Sequence, residues 1–414
     1  MPDKCIANCL ACGKCALKNI LILDDFTADS GDFSAVEPRH GYGIAVDIGT
    51  TTVVIALVDL MSAKIVARHS FLNPQRIYGA DVISRIHSAN EGHLAGIQKL
   101  ITESVSSGIK TLMQKCSVKN IDDIVIAGNT AMIHLLLGQS CKELGVYPFK
   151  TNLSLKEKYF YSEIFSDTQS DNLSKRTVKI IPWFAAFVGG DITAGLLYIM
   201  QRMNLQQENK KSFLLIDLGT NGEIALFNNG KLTVTSCAAG PAFENSEKGN
   251  VTGASGVIHE LAQLIRDGAL DETGLLKNDI TSSAGCGTPG YFSQKDIRNL
   301  QLAKSAVRTG VEILLDTACM TYNDIDIVCL AGGIGQAVDV KDAAAIGLVP
   351  LELAGKTKAA GNSSLGGAVS ALLSPVKAAN DIQAMLSNFT EINLAQHPRF
   401  NDVFAENMLF NFIT

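Results

Sequence analysis

One pattern occurs twice in this chain, 170 residues apart, and it constrains the fold more than any other feature. In the first copy an apolar, β-branched run, Tyr42-Gly43-Ile44-Ala45-Val46-Asp47-Ile48, enters Gly49-Thr50-Thr51-Thr52 and resumes as Val53-Val54-Ile55-Ala56-Leu57-Val58-Asp59. In the second, Phe213-Leu214-Leu215-Ile216-Asp217-Leu218 enters Gly219-Thr220-Asn221-Gly222 and resumes as Glu223-Ile224-Ala225-Leu226-Phe227. Each copy reads as a hairpin, because two β-branched runs separated by glycine and short polar residues form strand, turn and strand. A turn lined with hydroxyls and backbone N–H groups can hold a phosphate. A single Asp-x-Gly-Thr would say little, but two copies at domain-scale spacing, each on a strand and each continued by one, imply a duplicated fold.

The 414 residues are enough for two or three domains. With 47% hydrophobic and 18% charged residues the chain can bury a large core, and no segment approaches the roughly 18 apolar residues of a membrane span. Lys and Arg number 35 against 41 Asp and Glu, so no global basic field exists to attract nucleic acid. Met1-Pro2-Asp3-Lys4 leads into cysteines without a basic-then-apolar signal segment, which predicts a cytoplasmic protein. The polar run Gln206-Gln207-Glu208-Asn209-Lys210-Lys211 places the junction of the two halves near residue 210.

Cysteines form two populations. Cys116, Cys141, Cys237, Cys286, Cys319 and Cys329 are scattered, mostly beside apolar or small neighbours, where a thiol serves as a small core hydrophobe. Cys5, Cys9, Cys12 and Cys15 instead crowd into a Cys-x3-Cys-x2-Cys-x2-Cys loop with Gly13 inside it. Four thiolates so close together suit a metal. The tight spacing favours a [4Fe-4S] cluster over structural zinc, which usually takes two Cys pairs separated by a longer excursion; zinc and a redox thiol segment remain the alternatives. The acidic, turn-rich stretch from Asp24 to Asp32, followed by Pro38, reads as a linker.

A third glycine turn, Gly332-Gly333-Ile334-Gly335, follows the apolar run Val328-Cys329-Leu330-Ala331. Glycines there let backbone approach a flat base or ribose, although an ordinary strand-to-helix turn has the same signature. His87 and His134 sit among apolar neighbours in helical patterns and read as satisfied surface or core histidines; Trp183 reads as a packing residue. From Ser374 onward the tail is amphipathic and is expected to pack on the body.

Together the three turns resemble those of the superfamily of acetate and sugar kinases, heat-shock ATPases and actin. The resemblance implies an α/β protein with duplicated actin-like (ribonuclease H-like) ATPase domains and an ATP cleft between them. Domain boundaries are expected at residues 1–40 for the cysteine-rich segment and linker, 41–210 and 211–373 for the two ATPase domains, and 374–414 for the helical tail. It assigns Asp47, Gly49, Thr50, Thr51 and Thr52 to a first phosphate loop. Asp217, Gly219, Thr220, Asn221 and Gly222 fall in a second, and Gly332, Gly333 and Gly335 in an adenosine loop, with Mg²⁺ positioned by Asp47 and Asp217 mostly through water. Asp191, in Gly189-Gly190-Asp191, resembles the catalytic aspartate of type III pantothenate kinases and is the candidate base for the hydrolytic water, though it also suits a helix N-cap.

A narrower resemblance is carried by ordered strings from about residue 42 to the end. They include Asn73-Pro74-Gln75, Tyr78-Gly79-Ala80-Asp81-Val82-Ile83-Ser84-Arg85-Ile86, Ala127-Gly128-Asn129-Thr130-Ala131-Met132, Gln301-Leu302-Ala303-Lys304 and Gly361-Asn362-Ser363-Ser364-Leu365. These are similar to the ATPase region of the reductive activators of corrinoid-dependent enzymes. Many of those begin with a plant-type [2Fe-2S] domain, where this chain has only its Cys5–Cys15 loop. The resemblance implies an ATP-hydrolysing activator that passes low-potential electrons from the cluster to a corrinoid protein, Co(II) to Co(I), or to another metalloprotein client. Reduced ferredoxin or flavodoxin would be the donor, and a homodimer the assembly. Two other readings stand beside it: a small-molecule kinase with a zinc clip, and an ATP-sensing scaffold for metalloenzyme assembly.

Overall fold

The structure, a computed structural model, describes residues 38–165, 171–202, 211–219, 221–240, 242, 254–277, 292–335 and 338–410. Cys5, Cys9, Cys12, Cys15 and Thr220 lie outside the described residues. The described residues divide into two compact units, the first formed by residues 38–202 with 362–387 and the second by residues 211–361 with 388–410.

In the first unit, β1 (Tyr42–Ile48), β2 (Thr52–Asp59), β3 (Lys64–Leu72), β4 (Asp123–Gly128), β5 (Tyr159–Phe160) and β6 (Thr177–Ile180) form one sheet in the order β3-β2-β1-β4-β6-β5. β1 runs antiparallel to β2 and parallel to β4, which is parallel to β6. β1, β2 and β4 are buried along almost their whole length, as strands covered on both faces must be, and their continuous Val, Ile and Ala runs follow from that. The more exposed β3 carries Lys64 and Arg68, charges that suit a sheet edge.

The second unit repeats this plan. β7 (Ser212–Leu218), β8 (Gly222–Asn228), β9 (Lys231–Cys237), β10 (Ile327–Ala331), β11 (Thr357–Gly361) and β12 (Phe389–Glu391) are ordered β11-β10-β7-β8-β9-β12. The order β9-β8-β7-β10-β11 matches β3-β2-β1-β4-β6 strand for strand, with the same directions. The added edge strands differ: β5 lies beyond β6, whereas β12 pairs in parallel with β9.

Helices follow in chain order. The first unit holds α1 (Val82–Ser88), α2 (Leu94–Lys115), α3 (Thr130–Leu136) and α4 (Gly190–Arg202). The second holds α5 (Ala254–Arg266), α6 (Gln294–Thr317) and α7 (Val340–Ala345). α8 (Ser363–Leu373) and α9 (Pro375–Ser387) belong again to the first, and α10 (Phe400–Glu406) to the second. The long helices α2 and α6 each lie on the antiparallel ribbon of their unit, with a glycine at the closest approach. A Cβ on Gly108 would stand 2.6 Å from Ile55 Cδ1, and one on Gly310 would collide with Ile224 Cδ1. Ile55 pairs with Val46, and Ile224 with Ile216, so the two contacts occupy equivalent positions of the two units. α8 approaches α4 just as closely, since a Cβ on Gly367 would strike the Ala194 carbonyl.

The tail is shared between the units. α9 stays with the first, where Gln201 donates a 3.2 Å hydrogen bond to Asp381, and α10 packs in the second, where Ser305 Oγ donates to the Phe404 carbonyl at 2.6 Å. Among the scattered cysteines Cys141, Cys237 and Cys329 are buried as small core side chains, whereas Cys319 is exposed. His134 is buried and satisfied on both ring nitrogens, by the Ser140 carbonyl at 2.9 Å and Thr151 Oγ1 at 2.8 Å.

Candidate functional site

The first hairpin turn is built by its own backbone and held by two asparagines. Ile48 pairs with Val53, leaving Gly49, Thr50, Thr51 and Thr52 as the loop, and the Gly49 N–H closes it on the Thr52 carbonyl at 3.0 Å. Asn73 fixes it from one side: its side-chain amide donates to the Gly49 carbonyl at 2.8 Å and its backbone N–H to the Thr51 carbonyl at 2.9 Å. Asn129 fixes it from the other, donating to Thr50 Oγ1 at 3.1 Å while its own Oδ1 accepts from the Met132 N–H at 2.9 Å and so caps α3. Such a cap contributes about 1 kcal/mol, and here it also aims the threonine hydroxyl.

Asp47 and Asp191 meet beside this turn. Asp47 lies near the carboxyl end of β1, and Asp191 in the first turn of α4, where Gly189 and Gly190 let the chain pass tightly against α3 and the end of β4. A Cβ on Gly189 would stand 2.8 Å from the Thr130 nitrogen, and one on Gly190 would collide with the Ile181 carbonyl. Asn362 Nδ2 donates to Asp47 Oδ2 at 2.9 Å and Ser364 Oγ to Asp47 Oδ1 at 2.7 Å, so both carboxylate oxygens are held by the start of α8. Asp191 Oδ1 accepts from the Ile192 N–H at 2.9 Å.

Electrostatics sets the two carboxylates apart from ordinary ones. Burial raises the pKa of Asp47, and the bonds from Ser364 and Asn362 only partly oppose it. Asp191 is raised by burial first and by the charge of Asp47 second, against which the Ile192 N–H works weakly. Both residues are half-buried. Two such carboxylates favour a cation. Among the described residues no three His, Cys, Asp or Glu side chains converge as a metal cage. Magnesium, however, needs only one or two protein carboxylates when phosphates and water complete its shell.

In the second unit the parallel pairing of β7 and β10 brings two of the sequence-predicted loops together. Ala331 pairs with Asp217, so Gly332 starts its turn beside the Asp217 carboxylate. Gly332 has φ +83°, and a Cβ there would strike Asp217 Oδ1 and stand 2.6 Å from the Leu218 carbonyl. Gly333 has open space where its Cβ would be, and Gly335 packs on Leu330. The second hairpin is one residue shorter than the first: Leu218 pairs with Gly222, and the Gly219 N–H closes on the Asn221 carbonyl at 3.0 Å. Gly222 is required by packing, since a Cβ would come 2.7 Å from Cys237 Sγ.

Gly332→Ala is expected to destabilise the second unit by about 1–3 kcal/mol through strain alone and to displace Asp217. Gly333→Ala, with nothing to meet, serves as the comparison in thermal unfolding; equal melting temperatures for the two variants would contradict the packing argument.

Comparison with known proteins places the chain. Residues 42–205 match the family model described as the RACo middle region, and residues 211–250 and 246–412 match the C-terminal domain of RACo, the ASKHA domain. The chain belongs to the RACo family. It is 34% identical over 432 residues to a protein of Eubacterium limosum named corrinoid activation enzyme RamQ, covering 89% of this chain and 70% of that one. A Methanosarcina barkeri protein named Co(II) methylated amine-specific corrinoid protein reductase is 22% identical over 391 residues, covering 78% of this chain and 68% of that one. A solved structure titled reductive activator for corrinoid, iron-sulfur protein superposes with a TM-score of 0.77 at 30% identity, over 92% of this chain and 67% of that one. The duplicated actin-like α/β fold expected from the hairpins is therefore that of a RACo-type ASKHA protein. Among the described residues no helix is long and apolar enough to cross a membrane.

Four residues of this RACo-family site stand in strings that carry the resemblance but were given no role from the sequence: Asn73, Asn129, Asn362 and Ser364. The signal for Asn129 and Asn362 was local, a polar residue between a strand and a helical run, which is the pattern of an N-cap. The grip of Asn73 on the turn and of Asn362 and Ser364 on Asp47 is spatial, and no local pattern shows it.

Proposed function

We propose that this protein is an ATP-dependent reductive activator of a corrinoid protein, returning Co(II) to Co(I). Membership of the RACo family, together with the half-buried Asp47–Asp191 pair beside a phosphate-type turn, is what supports this reading. The turn residues Gly49, Thr50, Thr51 and Thr52 take phosphate oxygens of the nucleotide through N–H and hydroxyl groups. Asp217, Gly219, Thr220, Asn221 and Gly222 form a second phosphate loop, and Gly332, Gly333 and Gly335 lie along the adenosine.

Asp47 and Asp217 would hold Mg²⁺, which would supply positive charge to the phosphates. Asn362 and Ser364 hold the Asp47 carboxylate still while it does so. Asp191 accepts a proton from the water that attacks the γ-phosphorus, releasing ADP and phosphate; its raised pKa makes it a stronger base than an exposed aspartate. A cation held beside Asp47 would offset the charge that helps raise the Asp191 pKa.

Cys5, Cys9, Cys12 and Cys15 would hold a [4Fe-4S] cluster, which supplies one-electron chemistry when bound; their spacing is the whole basis for that assignment. Reduced ferredoxin or flavodoxin is the proposed donor, a homodimer the proposed assembly and the cytoplasm the proposed location.

Anaerobic purification tests the reading. About four iron and four sulfide per chain are expected, with bleaching by dithionite, ATP turnover without any phosphoryl acceptor, and Mg-ATP-dependent loss of the Co(II) spectrum of an added corrinoid protein. A colourless zinc protein that turns over ATP only with a small-molecule acceptor would overturn it in favour of a kinase.

A further inference from the structure

Behind the Gly49–Thr52 turn lies a buried polar cluster of which only Asn73 has been given a role so far. Asn73, Gln75 and Arg85 are each 0% exposed. Asn73 is the brace that grips both Gly49 and Thr51. Its amide also reaches Met132 Sδ at 3.7 Å, and the same sulfur accepts from Arg85 Nη1 at 3.3 Å. Two side chains, Met132 and Asn73, thus stand between the guanidinium and the turn.

Arg85 is poorly compensated where it sits. Its Nε donates to the Gly79 carbonyl at 2.9 Å, but a thioether is a weak acceptor for Nη1, and Nη2 has no hydrogen-bond partner among the described residues. The charges facing it are those of Asp81 and Arg76, and the Asp81 carboxylate is occupied in capping α1 through the Ser84 N–H at 2.8 Å. Burial pushes the guanidinium down to about 10, which leaves it charged at neutral pH. A buried cation without an ion-pair partner is costly, and its field carries far through a medium of low polarisability.

We propose that Arg85 is the fixed counter-charge of the phosphate turn. It acts through Asn73 and the turn backbone, without touching the nucleotide, and strengthens binding in proportion to the number of phosphate charges that arrive. The inference rests on the assignment of ATP to this turn.

The test titrates wild type, Arg85→Met, Arg85→Gln and Arg85→Lys with adenosine, Mg-ADP and Mg-ATP, and melts each protein without ligand. The neutral variants are expected to weaken Mg-ATP by about tenfold or more and Mg-ADP by less, and to leave adenosine within about twofold. Arg85→Lys is expected to recover most of the loss. Arg85→Met, which replaces an unpaired charge by an apolar chain of similar length, should melt no lower than wild type. A merely structural brace gives another pattern: lower melting temperature and equal losses for adenosine and ATP, which would overturn the proposal. So would unchanged ATP affinity in both neutral variants. A wild type that binds no adenine nucleotide would instead refute the ATP assignment itself.

Discussion

Asp191→Asn is expected to lower ATP turnover by about 10²- to 10⁴-fold, the range that removal of a positioned general base produces, while Mg-ATP still binds. The amide keeps the shape and can still accept from the Ile192 N–H, so the first turn of α4 is undisturbed. It cannot take a proton. Removing a negative charge beside Asp47 also ends the mutual repulsion, so nucleotide affinity should hold or rise. The pH profile separates this from a folding defect. In wild type, burial and Asp47 hold the Asp191 pKa above the ordinary carboxylate range, so turnover must climb with pH until Asp191 has ionised. The variant should lack that rising limb. Phosphate release followed at several pH values, beside a nucleotide titration, decides it; turnover within a few-fold of wild type would remove Asp191 from the mechanism.

The contrast between what the sequence disclosed and what it hid is physical. The hairpins were legible because strand, turn and strand are contiguous, and because β-branched runs on either side of a glycine have few other uses. Their spacing even carried the duplication, since Ile55 and Ile224 fall at equivalent strand positions despite a second turn that is one residue shorter. The clamp on Asp47 was illegible. Asn362 and Ser364 are 315 and 317 residues away in sequence, and only the return of the chain to the first unit at α8 brings them to the carboxylate. The same return divides the tail, whose amphipathic rhythm announces packing but not on which unit. Gly108 and Gly310 are each the point where a long helix touches its ribbon, a role fixed by the partner rather than by the helix.

Lys304 should make the second unit more stable as pH rises from about 7 to about 10. The side chain is buried on α6, where Nζ donates to the Asn407 carbonyl at 2.8 Å and to the Leu409 carbonyl, with the ring of Phe410 4.9 Å away. Two carbonyls match the two N–H groups of a neutral amine, and both lie just past α10, where a helix end leaves acceptors unpaired. Burial, and secondarily the charge of Arg308, lower its pKa to about 7 from 10.5. The sign follows from proton counting: between those values the unfolded chain binds the proton and the folded chain does not, so unfolding becomes harder as pH rises through that window. Below it the fold must keep a charge buried and that stabilisation is lost. The whole interval corresponds to about 5 kcal/mol at its limit. Lys304→Met isolates the effect from other titrating groups. At pH 10 the variant should be less stable by about 1–3 kcal/mol for each carbonyl left unpaired, and the gap should close as pH falls towards 6, where wild type carries its buried charge and the variant does not. Urea unfolding at pH 6, 8 and 10 reads this directly. A constant difference between the two proteins across that range would mean that Lys304 stays charged in the fold and that its carbonyl contacts, not its titration, account for its place on α6.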